Sequence, residues 1–175
     1  MLEDGTFDAT RIRSLLTELG RRLDARGIEA RLFVVGGSAM ALAYSTRRVT
    51  RDVDAVFEPK AEIYVEAERM AREMGLPDGW LNDGVKGLMP DRVAPVEGSA
   101  SFSAPGVRVG VASPDYLFAM KAAAARTETD GDDLRTLAEI LGIAGPADGL
   151  ALVERHYGPG RLTVKTQLLL EDILG

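Results

Sequence analysis

Residues 32–57, LFVVGGSAMALAYSTRRVTRDVDAVF, leave the chain little freedom in its local fold. The run Arg31-Leu32-Phe33-Val34-Val35 is short, mostly apolar and β-branched at its end, and it breaks at Gly36-Gly37. It reads as a buried strand ending in a tight turn. Good helix formers occupy 38–44. Asp52-Val53-Asp54-Ala55-Val56-Phe57 then alternates polar with apolar at its start and stops near Pro59, which predicts a second strand with Val53 toward the core. Side chains alternate faces along a strand, so Asp52 and Asp54 share one face, roughly 7 Å apart at about 3.3 Å per residue.

Each part of this stretch has an ordinary reading. A glycine pair makes a plain strand-to-helix turn, and two aspartates decorate an exposed strand face. Together they carry chemistry. Carboxylates on one face repel unless they are solvated or bridged by a cation, and Mg²⁺ takes one or two carboxylates with phosphate oxygens and water in its other positions. Gly36 and Gly37 let backbone approach a ligand closely, the N–H groups of the following helix are free to meet phosphate, and Ser38 adds a hydroxyl. Turn, helix and carboxylate strand in that order point to metal-assisted nucleotidyl transfer.

Around this stretch, Ile12, Leu15, Leu16, Leu19 and Leu23 keep helical spacing from Asp8 to about Arg26, with Gly27 as a stop. A helix over 61–74 carries Ile63, Ala67, Met70, Ala71 and Met74 on one stripe and closes at Gly75. Residues 76–84 are too rich in Gly, Pro and Asp for a regular element. Strands at 99–103 and 107–111 flank Ala104-Pro105-Gly106 as a hairpin. Ser113 as N-cap and Pro114 at the first helical position start a helix running to about Arg126. Another begins near Asp130 or Asp132 and ends at Gly142, and two more occupy 146–157 and 163–173. The expected organisation is an α/β unit over 1–112 and a helical region over 113–175 packed on it.

At 175 residues the chain suits one substantial core and a small helical appendage. There is no cysteine and one histidine, which excludes disulfides, thiolate zinc sites, cysteine nucleophiles and multi-histidine metal sites. No run reaches the roughly 18 apolar residues of a membrane span, and the N-terminus lacks a basic start followed by an apolar block, so a cytoplasmic protein with no membrane partner is expected. The net charge of −6 argues against non-specific coating of nucleic acid. A local basic cleft remains open to Arg47, Arg48 and Arg51, while Arg11, Arg13, Arg21, Arg22 and Arg26 read as a solvated helix face. Lys121 lies on an otherwise apolar helix and should meet a carboxylate or a ligand phosphate, or else extend to solvent. Trp80 reads as a packing residue under its loop, and His156 is too isolated for a catalyst.

With these residues in view, the chain resembles the nucleotidyltransferases of the DNA polymerase beta superfamily. More closely, Gly36-Gly37-Ser38-Ala39 with Arg48-Val49-Thr50-Arg51-Asp52-Val53-Asp54 is similar to the AbiEii and MenT branch, the toxins of type IV toxin–antitoxin pairs. Arg48 and Thr50 match the arginine and the hydroxyl residue that precede that branch's two aspartates. Lys121, Arg126, Asp130 and Asp133 resemble its later motif, and the loop 77–83 and the ending from Arg155 to Ile173 share its look.

The resemblance implies an α/β (α+β) nucleotidyltransferase-like fold, a small mixed sheet flanked by helices with a C-terminal helical bundle. It further implies Asp52, Asp54 and Lys121 as catalytic residues and Asp52 and Asp54 as ligands of Mg²⁺. Gly36, Gly37, Ser38, Arg48, Thr50, Lys121 and Arg126 would bind the nucleoside triphosphate. The acceptor would be a tRNA 3′ end or a protein hydroxyl, and a cognate antitoxin would be the partner. One departure stands out. Many members place a third carboxylate on a later strand, yet neither 99–103 nor 107–111 contains one, and Asp91 and Glu97 are poorly placed. Either two aspartates suffice, or Asp130 or Asp133 substitutes from a helix, or the chain is a degenerate relative that only binds nucleotide or antitoxin. Asp130 and Asp133 also have a plain alternative as caps of the next helix.

Overall fold

The structure, a computed structural model, describes residues 5–90 and 95–175, so Asp91 lies outside the described residues. The chain forms two compact units, Met1–Lys86 with Glu97–Ala112, and Gly87–Val96 with Ser113–Gly175.

In the first unit, Asp8 caps helix α1 (Ala9–Asp24) by accepting the Arg11 N–H at 2.8 Å. The helix buries Ile12, Leu15, Leu16, Leu19 and Leu23, the stripe that the spacing predicts. Among the described residues, strands β1 (Ala30–Val34), β2 (Val53–Glu58), β3 (Leu81–Asn82), β4 (Phe102–Ala104) and β5 (Val107–Val111) form one sheet in the order β3-β2-β1-β5-β4. β1 runs antiparallel to β2 and parallel to β5, β2 and β3 are parallel, and β4 and β5 are antiparallel. This is the mixed sheet that was expected. Its inner face, including Leu32, Val34, Val53, Ala55, Phe57, Val107, Val109 and Val111, is buried, and α1 and helix α3 (Lys60–Met74) pack there.

Three local expectations shift. The helix after β1 starts at Gly36 itself, as α2 (Gly36–Ala39), and widens into a π-helical stretch at Met40–Tyr44. The hairpin strand β4 lies at Phe102–Ala104, and Ala104 pairs with Val107, which leaves Pro105-Gly106 as a two-residue turn. Residues 76–84 are not wholly irregular, because Leu81–Asn82 joins the sheet beside β2, with Val53 opposite Leu81 and Asp54 opposite Asn82. Two residues are too few to show a period, and turn-forming neighbours hid them.

The α1–α3 seam holds a carboxylate that the helical stripe did not include. Glu66 is 2% exposed and meets Arg22, Arg26 and Arg69 at 3.4, 3.6 and 3.2 Å. Arg22, read as part of a solvated face, therefore bridges the two helices, reaching Glu18 and Glu73 as well. Hydrogen bonds from Arg21 and Arg22 pull the Glu18 carboxyl down to about 2.

In the second unit, α4 (Pro114–Ala124), α5 (Thr127–Leu141), α6 (Pro146–Tyr157) and α7 (Val164–Leu174) pack on one another. Thr163 caps α7 by accepting the Thr166 N–H. α5 begins at Thr127, earlier than expected, which places Asp130 within its first turn and Asp133 further along the helix. Among the described residues no single helix is long and apolar enough to cross a membrane.

Helix α1 lies so close to the β4–β5 turn that side chains have no room at the contact. A Cβ on Gly106 would fall 2.0 Å from the Gly20 carbonyl oxygen, and one on Gly20 would fall 2.6 Å from Val107 Cγ1. Gly106 also has φ +76°. Gly106→Ala should lower unfolding free energy by roughly 2–5 kcal/mol, about 1–2 from the left-handed backbone and about 1–3 from overpacking. Gly27, at φ +70° with open space around it, isolates the backbone part. Gly27→Ala should cost only about 1–2 kcal/mol, both variants being compared with the wild type by urea unfolding.

Candidate active site

Gly36 has φ +63°, and a Cβ there would stand 3.0 Å from Asp54 Oδ2. Glycine is therefore required twice, by backbone conformation and by the carboxylate pressed against it. A Cβ on Gly37 would stand 3.3 Å from Thr50 Oγ1 and 3.6 Å from an Arg48 guanidinium nitrogen. The start of α2 thus lies directly against the residues that lead into β2. Val35 N–H donates to the Asp54 carbonyl at 2.9 Å, which locks the turn to the carboxylate strand.

Thr50 is fixed at both ends. Its backbone forms a two-bond bridge to buried Phe7, and its hydroxyl donates to the Asp52 carbonyl at 3.0 Å. Asp52 immediately precedes β2, and Asp54 alternates with buried Val53 and Ala55. Asn82 shows that both aspartates share a face. It stands opposite Asp54 in the parallel ladder, and its side-chain amide donates to Asp52 Oδ2 at 3.3 Å. Ser38 is 1% exposed and donates its hydroxyl to the Val35 carbonyl at 2.8 Å, so what it offers a ligand is the backbone N–H of a first helical turn.

Gly36, Gly37, Ser38, Arg48, Thr50, Asp52 and Asp54 are thus gathered in one place within the first unit. Asn82 belongs with them and was missed. The residue pairing that reveals it depends on a two-residue strand, so only the contact with Asp52 could have found it. The donor set fits Mg²⁺, because Asp52 and Asp54 supply hard oxygens and Gly36 leaves the flank of Asp54 without a side chain. Among the described residues no group of three or more His, Asp or Glu side chains has metal-holding geometry. Glu97 bridges by backbone to Ala112 and lays its carboxylate against Gly110 on β5.

Lys121 and Arg126 belong to the second unit. Lys121 is 6% exposed, and its Nζ meets Asp130 Oδ1 at 2.6 Å and Asp133 Oδ2 at 2.9 Å. Of the partners open to this lysine, the structure provides carboxylates. Asp130 and Asp133 are buried in α5 and hold Lys121 in place of capping a helix end. Arg126 is exposed at the N-terminal boundary of α5. Ser113 precedes α4 as expected, but its hydroxyl donates to Asp115 Oδ1 at 2.6 Å instead of capping backbone. His156 Nε2 lies 3.3 Å from the other Asp115 oxygen and edge-on to Tyr116. Burial works to raise the Asp115 carboxyl, yet the Ser113 bond and His156 outweigh it and hold it below the usual range. Trp80 is 1% exposed and donates its indole N–H to the Ala67 carbonyl, the packing role read from its loop.

A comparison of folds aligns 95% of this chain with 88% of the crystal structure of an antigenic nucleotidyltransferase-like protein from Paracoccidioides brasiliensis, at 13% identity and a TM-score of 0.50. The fold is nucleotidyltransferase-like. At this identity the likeness concerns fold alone. No protein-family model and no curated protein matches the chain.

The Lys121 cluster makes its own prediction. Lys121→Met leaves two buried carboxylates facing each other without a cation and should cost about 3–5 kcal/mol in urea unfolding. Adding Asp130→Asn and Asp133→Asn should recover part of that loss, because the repulsion disappears with the charges.

Proposed function

We propose that this chain is a Mg²⁺-dependent nucleotidyltransferase that moves a nucleoside monophosphate from a nucleoside triphosphate to an acceptor hydroxyl. One observation carries the reading. The glycine turn and the Arg48–Asp54 segment, separate in sequence, meet around two half-buried carboxylates so closely that a Cβ at Gly36, already disfavoured by φ +63°, would press on Asp54 Oδ2 at 3.0 Å. The acceptor oxygen attacks the α-phosphorus, the bond to the β-phosphate oxygen breaks, pyrophosphate leaves and the hydroxyl proton passes to water. Asp52 and Asp54 would hold Mg²⁺, which supplies charge stabilisation at the transferring phosphoryl group. The backbone around Gly36, Gly37 and Ser38 holds the β- and γ-phosphates, Arg48 offsets their charge, and Thr50 fixes the approach to Asp52. Lys121 and Arg126 are assigned to the triphosphate by resemblance to the AbiEii and MenT branch. The same resemblance makes a tRNA 3′ end the acceptor, blocked charging the toxic effect and a cognate antitoxin the partner, in the cytoplasm.

A second reading has specific support. β4 and β5 carry no carboxylate, and Lys121 is already neutralised by Asp130 and Asp133, as in a relative that binds nucleotide or antitoxin without catalysis. Incubating the protein with Mg²⁺, each labelled nucleoside triphosphate and total RNA separates the two. Label should appear in RNA, and Asp52→Ala should reduce it by about 100-fold or more, the equivalent of several kcal/mol of lost charge stabilisation. Absence of label in both RNA and protein with every nucleotide would leave the binding reading standing. Transfer that survives Asp52→Ala would refute the site.

A further inference from the structure

Asn82 touches Asp52 without being a carboxylate, and its orientation is fixed. Its Oδ1 accepts the Gly84 N–H at 3.0 Å, which turns Nδ2, the donor end, to Asp52. The segment that carries it is tied down along its length. Val53 N–H donates to the Trp80 carbonyl at 2.6 Å, and the Trp80 indole is bonded to α3. Asp83 accepts from Tyr64 and Lys60 of α3, each at 2.6 Å, bonds that hold its carboxyl below the usual range. Asn82 is therefore a rigid donor set beside Asp52, level with Asp54 in the ladder. An aspartate at this position could also accept from Gly84, but it would put a third negative charge on the same face.

Building on the nucleotidyltransferase reading of this site, we propose that Asn82 is a positioning residue that orients Asp52 toward a divalent cation and holds the site's charge at that of two carboxylates, thereby setting its cation affinity. Partners of metal ligands commonly govern affinity by 10–100-fold, and ligand charge count tunes it further.

The test is Mn²⁺ titrated into the full chain, with free Mn²⁺ followed by electron paramagnetic resonance and thermal unfolding of the metal-free protein as the check on folding. Asn82→Ala should weaken binding about tenfold with the cooperative unfolding transition retained. Asn82→Asp, which keeps the Gly84 bond and adds an oxygen anion, should bind more tightly than the wild type. Unchanged affinity in Asn82→Ala would overturn the proposal. So would an Asn82→Asp affinity equal to or weaker than wild type, since residue 82 would then only anchor the Gly84 turn. If the wild-type chain binds no Mn²⁺, the cation site itself falls and the role of Asn82 falls with it, whereas wild-type binding with unresponsive variants removes Asn82 alone.

Discussion

The close approach of Gly36 to Asp54 is the constraint on which the first unit depends. For the two to meet, the chain must leave β1 with a positive φ, return as α2 and run back as β2 in antiparallel register with β1. The bond from Val35 to Asp54 and the Thr50 bond to Asp52 then fix the carboxylate strand against the turn. Packing beneath supports this arrangement, because the inner face of the sheet is continuous apolar surface covered by α1 and α3. Gly36 and Asp54 stand on regular elements, and the loop that carries Arg48, Thr50 and Asp52 is tied down by the Phe7 bridge and the Thr50 bond to Asp52, which favours holding a charged ligand in one geometry.

Buried charge is organised alike in the two units. In each, a charge taken out of water is met by more than one opposite partner, Glu66 by three arginines and Lys121 by two aspartates. Such arrangements limit the desolvation penalty that a single buried ion would suffer. Asp52 and Asp54 are half-buried like charges on one face, and the contact drawn to Asp52 is a neutral amide.

Much of this was legible in the sequence because it is local. The α1 stripe, β5 at 107–111 and the Gly75 and Gly142 helix stops follow from periodicity and backbone preference, and the alternation around Val53 put both aspartates on one face before any contact was known. What escaped depends on distant partners. β3 is two residues whose only signature is pairing with β2, so Asn82 was hidden with it. Glu66 lies three residues after Ile63, on the buried face of α3, but its burial is affordable only because arginines arrive from α1. For Lys121 the sequence left a carboxylate, a ligand phosphate and solvent open, and it is the packing of α5 on α4 that brings Asp130 and Asp133 to it.

The most direct measurement of the central claim is anomalous diffraction from crystals grown with Mn²⁺ and a non-hydrolysable nucleoside triphosphate analogue. The account predicts a metal peak within about 2.1–2.3 Å of carboxylate oxygens of Asp52 and Asp54, with triphosphate oxygens completing its shell and the β- and γ-phosphates against the Gly36-Gly37 backbone. A metal and triphosphate bound elsewhere on the chain, with Asp52 and Asp54 free of both, would contradict it.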